Sequence, residues 1–464
     1  MAPDSFSLLS DTTYRSTGTK GLISSLKPAL FSRSPPTKLR GSTAYLDGLR
    51  GWAAFLVYIT HHLLGSHMWK PLEMGWGHDG NYYFISTPIV RTLFSGSHIA
   101  VHIFFIISGF VLSRSVLKNI HDNAGTEKIA TSLASAISRR FIRLWLPVIG
   151  TTFITMTIGY MIHQQGEAQM ETYLLEIVHW VSVVIAVSYP LSEIAWMDYN
   201  PHTWTIPHEF RGSMYVFMSL LATHKMTKAV RLCTLFVCAC WTHLSGSWAC
   251  STFLAGIVLA EIDLLRDDEW PQWSWLCFLQ NNKGKLYMIL IPFALHLGGQ
   301  PMLAFGALSI DQYLDTYGFY YLGCMLPSAY LLKINDFWYT IGALIIVTAT
   351  MNLPSFRALF EMRFTQYLGR ISFGFYLVHG PVMFLLGERL YAATGVSVSN
   401  RVPISAWNNI WEFGHVGPMG LELNFLCCHV ILLPLTFYLA ELCTKFLDEP
   451  SIKIARNVYR YAQA

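Results

Sequence analysis

Charge is scarce in this sequence. Of its 464 residues 13% are Asp, Glu, Lys or Arg, against the ~25% of an ordinary soluble domain. With 53% hydrophobic residues, 14% aromatics and a mean hydropathy of +0.38, the composition excludes a soluble globular protein and points to a chain that faces lipid. A strongly basic balance is missing too. The formal net charge of +4 is too small for a nucleic-acid binder, so no such partner is expected. The nine cysteines form no CxxC pair, and Cys233, Cys238, Cys240, Cys427 and Cys428 fall in apolar runs, which argues for buried free thiols over disulfides or zinc. Residues 1 to about 40 hold no apolar stretch of signal-peptide kind, and no repeat of fixed period suggests the inverted halves of a transporter. None of the 17 histidines opens an HxxxD motif, and there is no HExxH.

What is present is a series of apolar runs from residue 51 to residue 440. Since about 20 residues cross ~30 Å of hydrocarbon, candidate spans fall near 48–65, 97–113, 144–163, 204–222, 231–245, 247–264, 286–300, 336–353, 369–387 and 419–440. The expected fold is therefore all-α, a polytopic transmembrane bundle of about ten spans. Basic residues test the count: Arg33, Lys38 and Arg40, then Arg114 to Arg140, Lys225 to Arg231, Lys283 and Lys285, Arg357 and Arg363, and Lys445 to Arg456 all fall on one side. That side would be the cytosol, with both termini. The agreement requires that two further apolar pieces, near 173–188 and 319–332, do not cross fully. The expected organisation is a disordered cytosolic tail over 1–43, a transmembrane domain over 44–450 and a short cytosolic tail over 451–464.

Polar residues inside spans are costly, so each is a functional candidate. In YLDGLRGWAAFLVYITHHLLG, Arg50 and His61 stand 11 residues apart, three helical turns, hence on one face and about 16 Å apart along the axis. His62 points about 100° away. A mid-membrane imidazole can take and return a proton, which favours catalysis for His61 and a structural role for His62. His98 and His102 share a helix face but have no obvious third partner, so no metal is assigned. Ser108 and Gly109 mark either a close-packing point or a helix break. In SRRFIRLWLP, Arg140 and Arg143 lie at i and i+3, a spacing suited to a bidentate phosphate clamp; Arg139 suits a topology anchor. Glu209 opens another span in NPHTWTIPHEFRGS, where a carboxylate must be paired, protonated or wetted. His379 sits in the aromatic-rich LGRISFGFYLVHGPV, and the last span ends on DEP at Asp448 to Pro450.

Taken in order, LDGLRG with its following histidine, FFIISGF, RRFIRLWLP, WTIPHEF, LGRISFGFYLVHGP and the terminal EP resemble the acyltransferase 3 family of integral-membrane O-acyltransferases, from about residue 44 to 450. WTIPHEFRGS resembles the fungal branch. The resemblance implies transfer of an acyl group, commonly acetyl from acetyl-CoA, to a hydroxyl of a sugar, lipid or small natural product. The family's essential Arg and His match Arg50 and His61, and its Arg-x-x-Arg matches Arg140 and Arg143. On that footing His61 is the expected general base, Arg140 and Arg143 bind CoA phosphates, Arg50 binds phosphate or organises the site, Asp47 orients Arg50, and Glu209 shapes the acceptor site. The expected partners are acyl-CoA, a hydroxyl-bearing acceptor and membrane lipid, with no metal. A membrane-bound O-acyltransferase of the other large family, using His379, is the enzyme alternative, and a proton-coupled permease using the same buried His and Arg residues is the alternative outside enzymes. The membrane could be the endoplasmic reticulum or the plasma membrane.

Overall fold

The computed structural model of the chain describes residues 43–67, 75–77, 80–164, 169–190, 196–267, 280–301, 313–314, 316–331, 334–396 and 405–463. The expected N-terminal tail lies almost wholly outside these residues. Among the described residues twelve helices carry the architecture: α1 (Ala44–His67), α2 (Ser97–His121), α3 (Thr126–Met161), α4 (Tyr173–Ser188), α5 (Thr205–Thr223), α6 (Lys228–Leu244), α7 (Trp248–Asp267), α8 (Lys283–Gly298), α9 (Ile334–Asn352), α10 (Arg363–Val382), α11 (Leu423–Cys443) and α12 (Glu449–Tyr461). No strand occurs among the described residues. All ten expected spans fall on helices.

Among the described residues, six stretches are long and apolar enough to cross a membrane: α2, α3, α7, α9, α10 with its continuation to Ala393, and α11 with its continuation to Tyr461. The other four helices fall short for two reasons. α6 and α8 are 17 and 16 residues long, whereas α1 and α5 are long enough but carry Asp47, Arg50, His61 and His62, and His208, Glu209 and Arg211. Of the two pieces expected not to cross, α4 has 16 residues, about 24 Å of helix. The other holds a five-residue helix, Tyr320–Cys324, and a single turn at Ser328–Tyr330; residue 332 lies outside the described residues. α3 begins 18 residues before the expected span, and α12 takes up most of the residues expected as the C-terminal tail. The two pack on each other, burying Ser451 and Ala455 of α12.

Small residues set the closest helix contacts. α1 lies along α10 because Gly48, Gly51 and Gly369 have no side chain: a methyl group at Gly51 would lie 2.3 Å from the Gly369 nitrogen, and one at Gly48 1.8 Å from the Phe360 carbonyl oxygen. Backbone-to-backbone approach of this kind supplies the van der Waals contact that holds helices together in lipid, where burying apolar surface gains little. Gly109 and Gly256 do the same between α2 and α7. The SGF motif is thus a packing point and not a break, since α2 runs through it.

Two basic residues counted as topology markers are consumed inside the bundle. Arg231 on α6, 1% exposed, donates from Nε (3.1 Å) and Nη2 (2.6 Å) to Oε1 of the fully buried Glu261 on α7, which His121 of α2 also approaches at 3.0 Å. Arg114 pairs with Asp263 at 2.9 Å. A carboxylate within a low-dielectric bundle needs such a partner, and the need fixes where α2, α6 and α7 meet. The described cysteines are free, as expected, but Cys233, Cys238 and Cys240 are exposed where burial was expected, because α6 turns that face out of the bundle.

Candidate active site

Arg50 and His61 both address α10, as their spacing required. Arg50 donates from Nε to Ser372 Oγ (3.1 Å) and from Nη2 to the Gly369 carbonyl (3.3 Å), while Asp47, one turn back on α1, holds Nη2 at 3.0 Å. Three turns on, His61 Nδ1 lies 2.9 Å from His379 Nε2. His62 turns to a different set, with Nδ1 2.6 Å from the Tyr391 hydroxyl and its ring 5.0 Å from that of His429, which in turn meets the Tyr58 hydroxyl at 2.9 Å. Adjacent histidines therefore serve separate clusters.

The sequence reading missed His202. It sits on the short turn Pro201–Trp204 before α5, and its ring stacks on His61 with centroids 3.9 Å apart and planes 30° apart; the His379 ring is 4.9 Å away and Phe384 covers the far side at 5.4 Å. The HGP motif explains why this turn docks there. Pro381 has no N–H, so the Leu377 carbonyl, four residues earlier, loses its helical donor. The Asn200 amide donates to that carbonyl at 2.9 Å instead. Gly380 leaves room, since a methyl group there would lie 2.3 Å from the His202 ring and 3.0 Å from Asn200 Oδ1. Tyr376 completes the clamp by donating to the His202 carbonyl, and Thr205 Oγ1 contacts the Tyr376 oxygen at 2.6 Å.

The ligating nitrogens of His61, His202 and His379 lie within 4.8 Å of one another, close enough to raise a metal. The ring arrangement opposes it. A metal must lie in the plane of each ring it binds, and rings stacked at 3.9 Å do not aim their lone pairs at one point; moreover the His61 to His379 contact has hydrogen-bond length. The cluster is better suited to proton chemistry. His98 and His102, the pair weighed for zinc, instead stack on Tyr339 and Trp248, and His102 donates to the His98 carbonyl.

The two arginines of α3 are not equivalent. Arg140 is buried, paired through Nη2 with Glu209 and through Nε with Ser213 Oγ at 2.8 Å, so its fork is already engaged. Glu209 also accepts from Ser108 Oγ at 2.6 Å, which ties α2, α3 and α5 at one carboxylate. Arg143, one turn on, is half-buried and its guanidinium has no hydrogen-bond or ion-pair partner among the described residues. It lies in the field of Arg140, Asp448, Arg50 and Glu209. The matched clamp expected from the i, i+3 spacing is therefore one engaged arginine and one available arginine. All six expected site residues lie on the elements that line this region: Asp47, Arg50 and His61 on α1, Arg140 and Arg143 on α3, and Glu209 on α5.

Comparison with known proteins is consistent in kind. A family model described as an acyltransferase domain matches residues 43–428. The chain is 29% identical to the O-acetyltransferase PaAT-1 of Phomopsis amygdali over 79% of its own length and 77% of the relative's. It is 23% identical to the acyltransferase clz18 of Cochliobolus lunatus, over 90% and 96% of the two chains. No solved structure matches.

Proposed function

Because the chain belongs to the acyltransferase 3 family and is an acyltransferase, we propose that it transfers an acetyl group from acetyl-CoA to a hydroxyl of a small natural product, sugar or lipid, with His61 as the general base. One observation carries this: a half-buried imidazole and a guanidinium, three turns apart on α1, face the same helix, and Arg143 of α3 lies in the field of Arg50. A hydroxyl is a poor nucleophile until a base takes its proton. His61 removes that proton as the acceptor oxygen attacks the thioester carbonyl. The tetrahedral intermediate collapses, the carbon–sulfur bond breaks, and the proton passes from His61 to the leaving thiolate, giving an ester and free CoA. His202 and Phe384 wall the site, and Arg50, braced by Asp47, organises its α10 side. Glu209 shapes the acceptor side by holding Arg140 and Ser108.

The phosphates of CoA fall first to Arg143, the arginine whose donors are free among the described residues. A charge-assisted hydrogen bond contributes about 1.5–3 kcal/mol, so Arg143→Ala should raise the KM for acetyl-CoA about tenfold or more while leaving the acceptor KM in place. Lysine should rescue in part, keeping the charge but losing the fork. The check is steady-state turnover of purified protein with acetyl-CoA and with its dephospho analogue. Normal acetyl-CoA affinity in Arg143→Ala would leave this arginine as a topology anchor. Acetylated metabolites present with the gene and absent without it identify the acceptor.

The bundle is proposed to be multi-pass with ten spans and both termini in the cytosol, which puts the α2–α3 turn on the cytosolic face. A cysteine replacing Asn123 at that turn, in a background cleared of native thiols, is expected to react with an impermeant maleimide only after the membrane is opened to the cytosolic side. Labelling from outside would overturn the ten-span arrangement.

A further inference from the structure

We propose that His379 is a positioning residue that decides which nitrogen of His61 acts as the base. The inference rests on the reading that His61 is that base, and it follows from counting donors. His379 Nδ1 lies 2.7 Å from the carbonyl oxygen of Tyr376. A carbonyl only accepts, so Nδ1 of His379 carries the proton. In the neutral ring Nε2 is then bare and can only accept. Its neighbour at 2.9 Å, His61 Nδ1, must therefore be the donor. This leaves Nε2 of His61 without a proton, free to take one from an acceptor hydroxyl. The reverse polarity would need both nitrogens of His379 protonated, an imidazolium in a side chain only 1% exposed, which is costly without a facing carboxylate.

Other contacts hold this chain of hydrogen bonds in place. The His61 ring is fixed at its edge by His379 and across its face by His202, whose turn is tied down by Asn200 and Tyr376. The productive tautomer is thus fixed ahead of substrate binding, and the acceptor must approach from the Nε2 edge of His61, away from α10. Without the His379 acceptor the proton of neutral His61 is free to sit on either nitrogen, and a ring protonated at Nε2 cannot act as base from that edge.

The test compares His379→Gln, whose side-chain oxygen can occupy the Nε2 position and accept from His61, with His379→Leu, which cannot accept, and His379→Asn, which is too short to reach. Purified proteins, checked for folding by gel filtration and thermal transition in detergent, are assayed for CoA release from acetyl-CoA with water or glycerol as acceptor. The expected result is a fall in kcat of about 10²-fold or more for the Leu and Asn variants, with an unchanged KM for acetyl-CoA, and recovery to within about tenfold of wild type for Gln. Nitrogen-15 NMR of histidine-labelled protein needs no acceptor, and should find His61 protonated at Nδ1 in wild type and Gln, and mixed in Leu. Equal losses in all three variants, wild-type rates in the Leu variant, or Nε2 protonation of His61 in wild type would each overturn the proposal. Should the Leu variant fail to fold, equal activity of Gln and Asn would do the same. Activity retained in His61→Ala overturns instead the reading on which the proposal rests, and the two failures stay distinct.

Discussion

His61→Ala protein is expected to fold and reach the membrane as wild type does while transferring acetyl groups about 10²–10⁴-fold more slowly, the range that loss of a general base produces. Folding should survive because His61 contributes one side-chain hydrogen bond, to His379, and packs at the edge of the core, where its ring is half-buried. Leaving His379 Nε2 unpaired costs about 1–3 kcal/mol, which a bundle of this size tolerates. His62→Ala should behave in the opposite way. That ring is fully buried among Tyr58, Tyr391 and His429, so its loss opens a cavity and lowers the thermal transition, while activity per folded molecule stays near wild type. The measurement is acetyl-CoA turnover normalised to folded protein for both variants. Equal turnover in wild type and His61→Ala would remove the base and return the chemistry to another residue of the cluster.

The divergence of these two neighbours is legible in the sequence alone, because helical geometry turns consecutive side chains about 100° apart. The same geometry puts Arg50 and His61 on one face, and α10 occupies that face. The approach of α10 through Gly48 and Gly51 could be suspected from the glycines of LDGLRG, but not its partner Gly369, which lies over three hundred residues away. His202 is invisible in the sequence for a related reason. Its place beside His61 is made by a hydrogen bond from Asn200 to a carbonyl 177 residues on, and that carbonyl is open only because of Pro381. The sequence does hold a signal, a histidine followed by glycine and proline inside a helix, from which an orphaned acceptor could be inferred. Hydropathy is a poor guide to helix length in this chain: α3 runs on through its polar first half, and the contact of α12 with α3 is one that no span criterion reports. The spacing of Arg140 to Arg143 suggests a matched pair, whereas the buried carboxylate partner of Arg140, on α5, determines what its guanidinium can do.

That partnership yields the second large effect. The side chains of Arg140 and Glu209 are 10% and 14% exposed, and each would be left as an isolated charge if the other were removed. Breaking a buried ion pair by deleting one member costs about 3–5 kcal/mol, so Glu209→Ala should lower the thermal transition in detergent sharply and reduce the yield of folded protein. Arg140→Met should do nearly the same, leaving Glu209 with only the hydroxyl of Ser108. The double variant Arg140→Met, Glu209→Leu removes both charges together and fills much of the same volume, and replacements of this kind are often neutral or stabilising. It should therefore regain most of the lost stability. What it should not regain is turnover, because the arginine beside Arg143 and the carboxylate proposed to shape the acceptor side are both gone. A double variant that recovers stability and also acetyl-CoA turnover would reduce the pair to a structural strut between α3 and α5. Single variants as stable as wild type would mean that water reaches the pair and screens it, leaving Arg140 as available to a phosphate as Arg143.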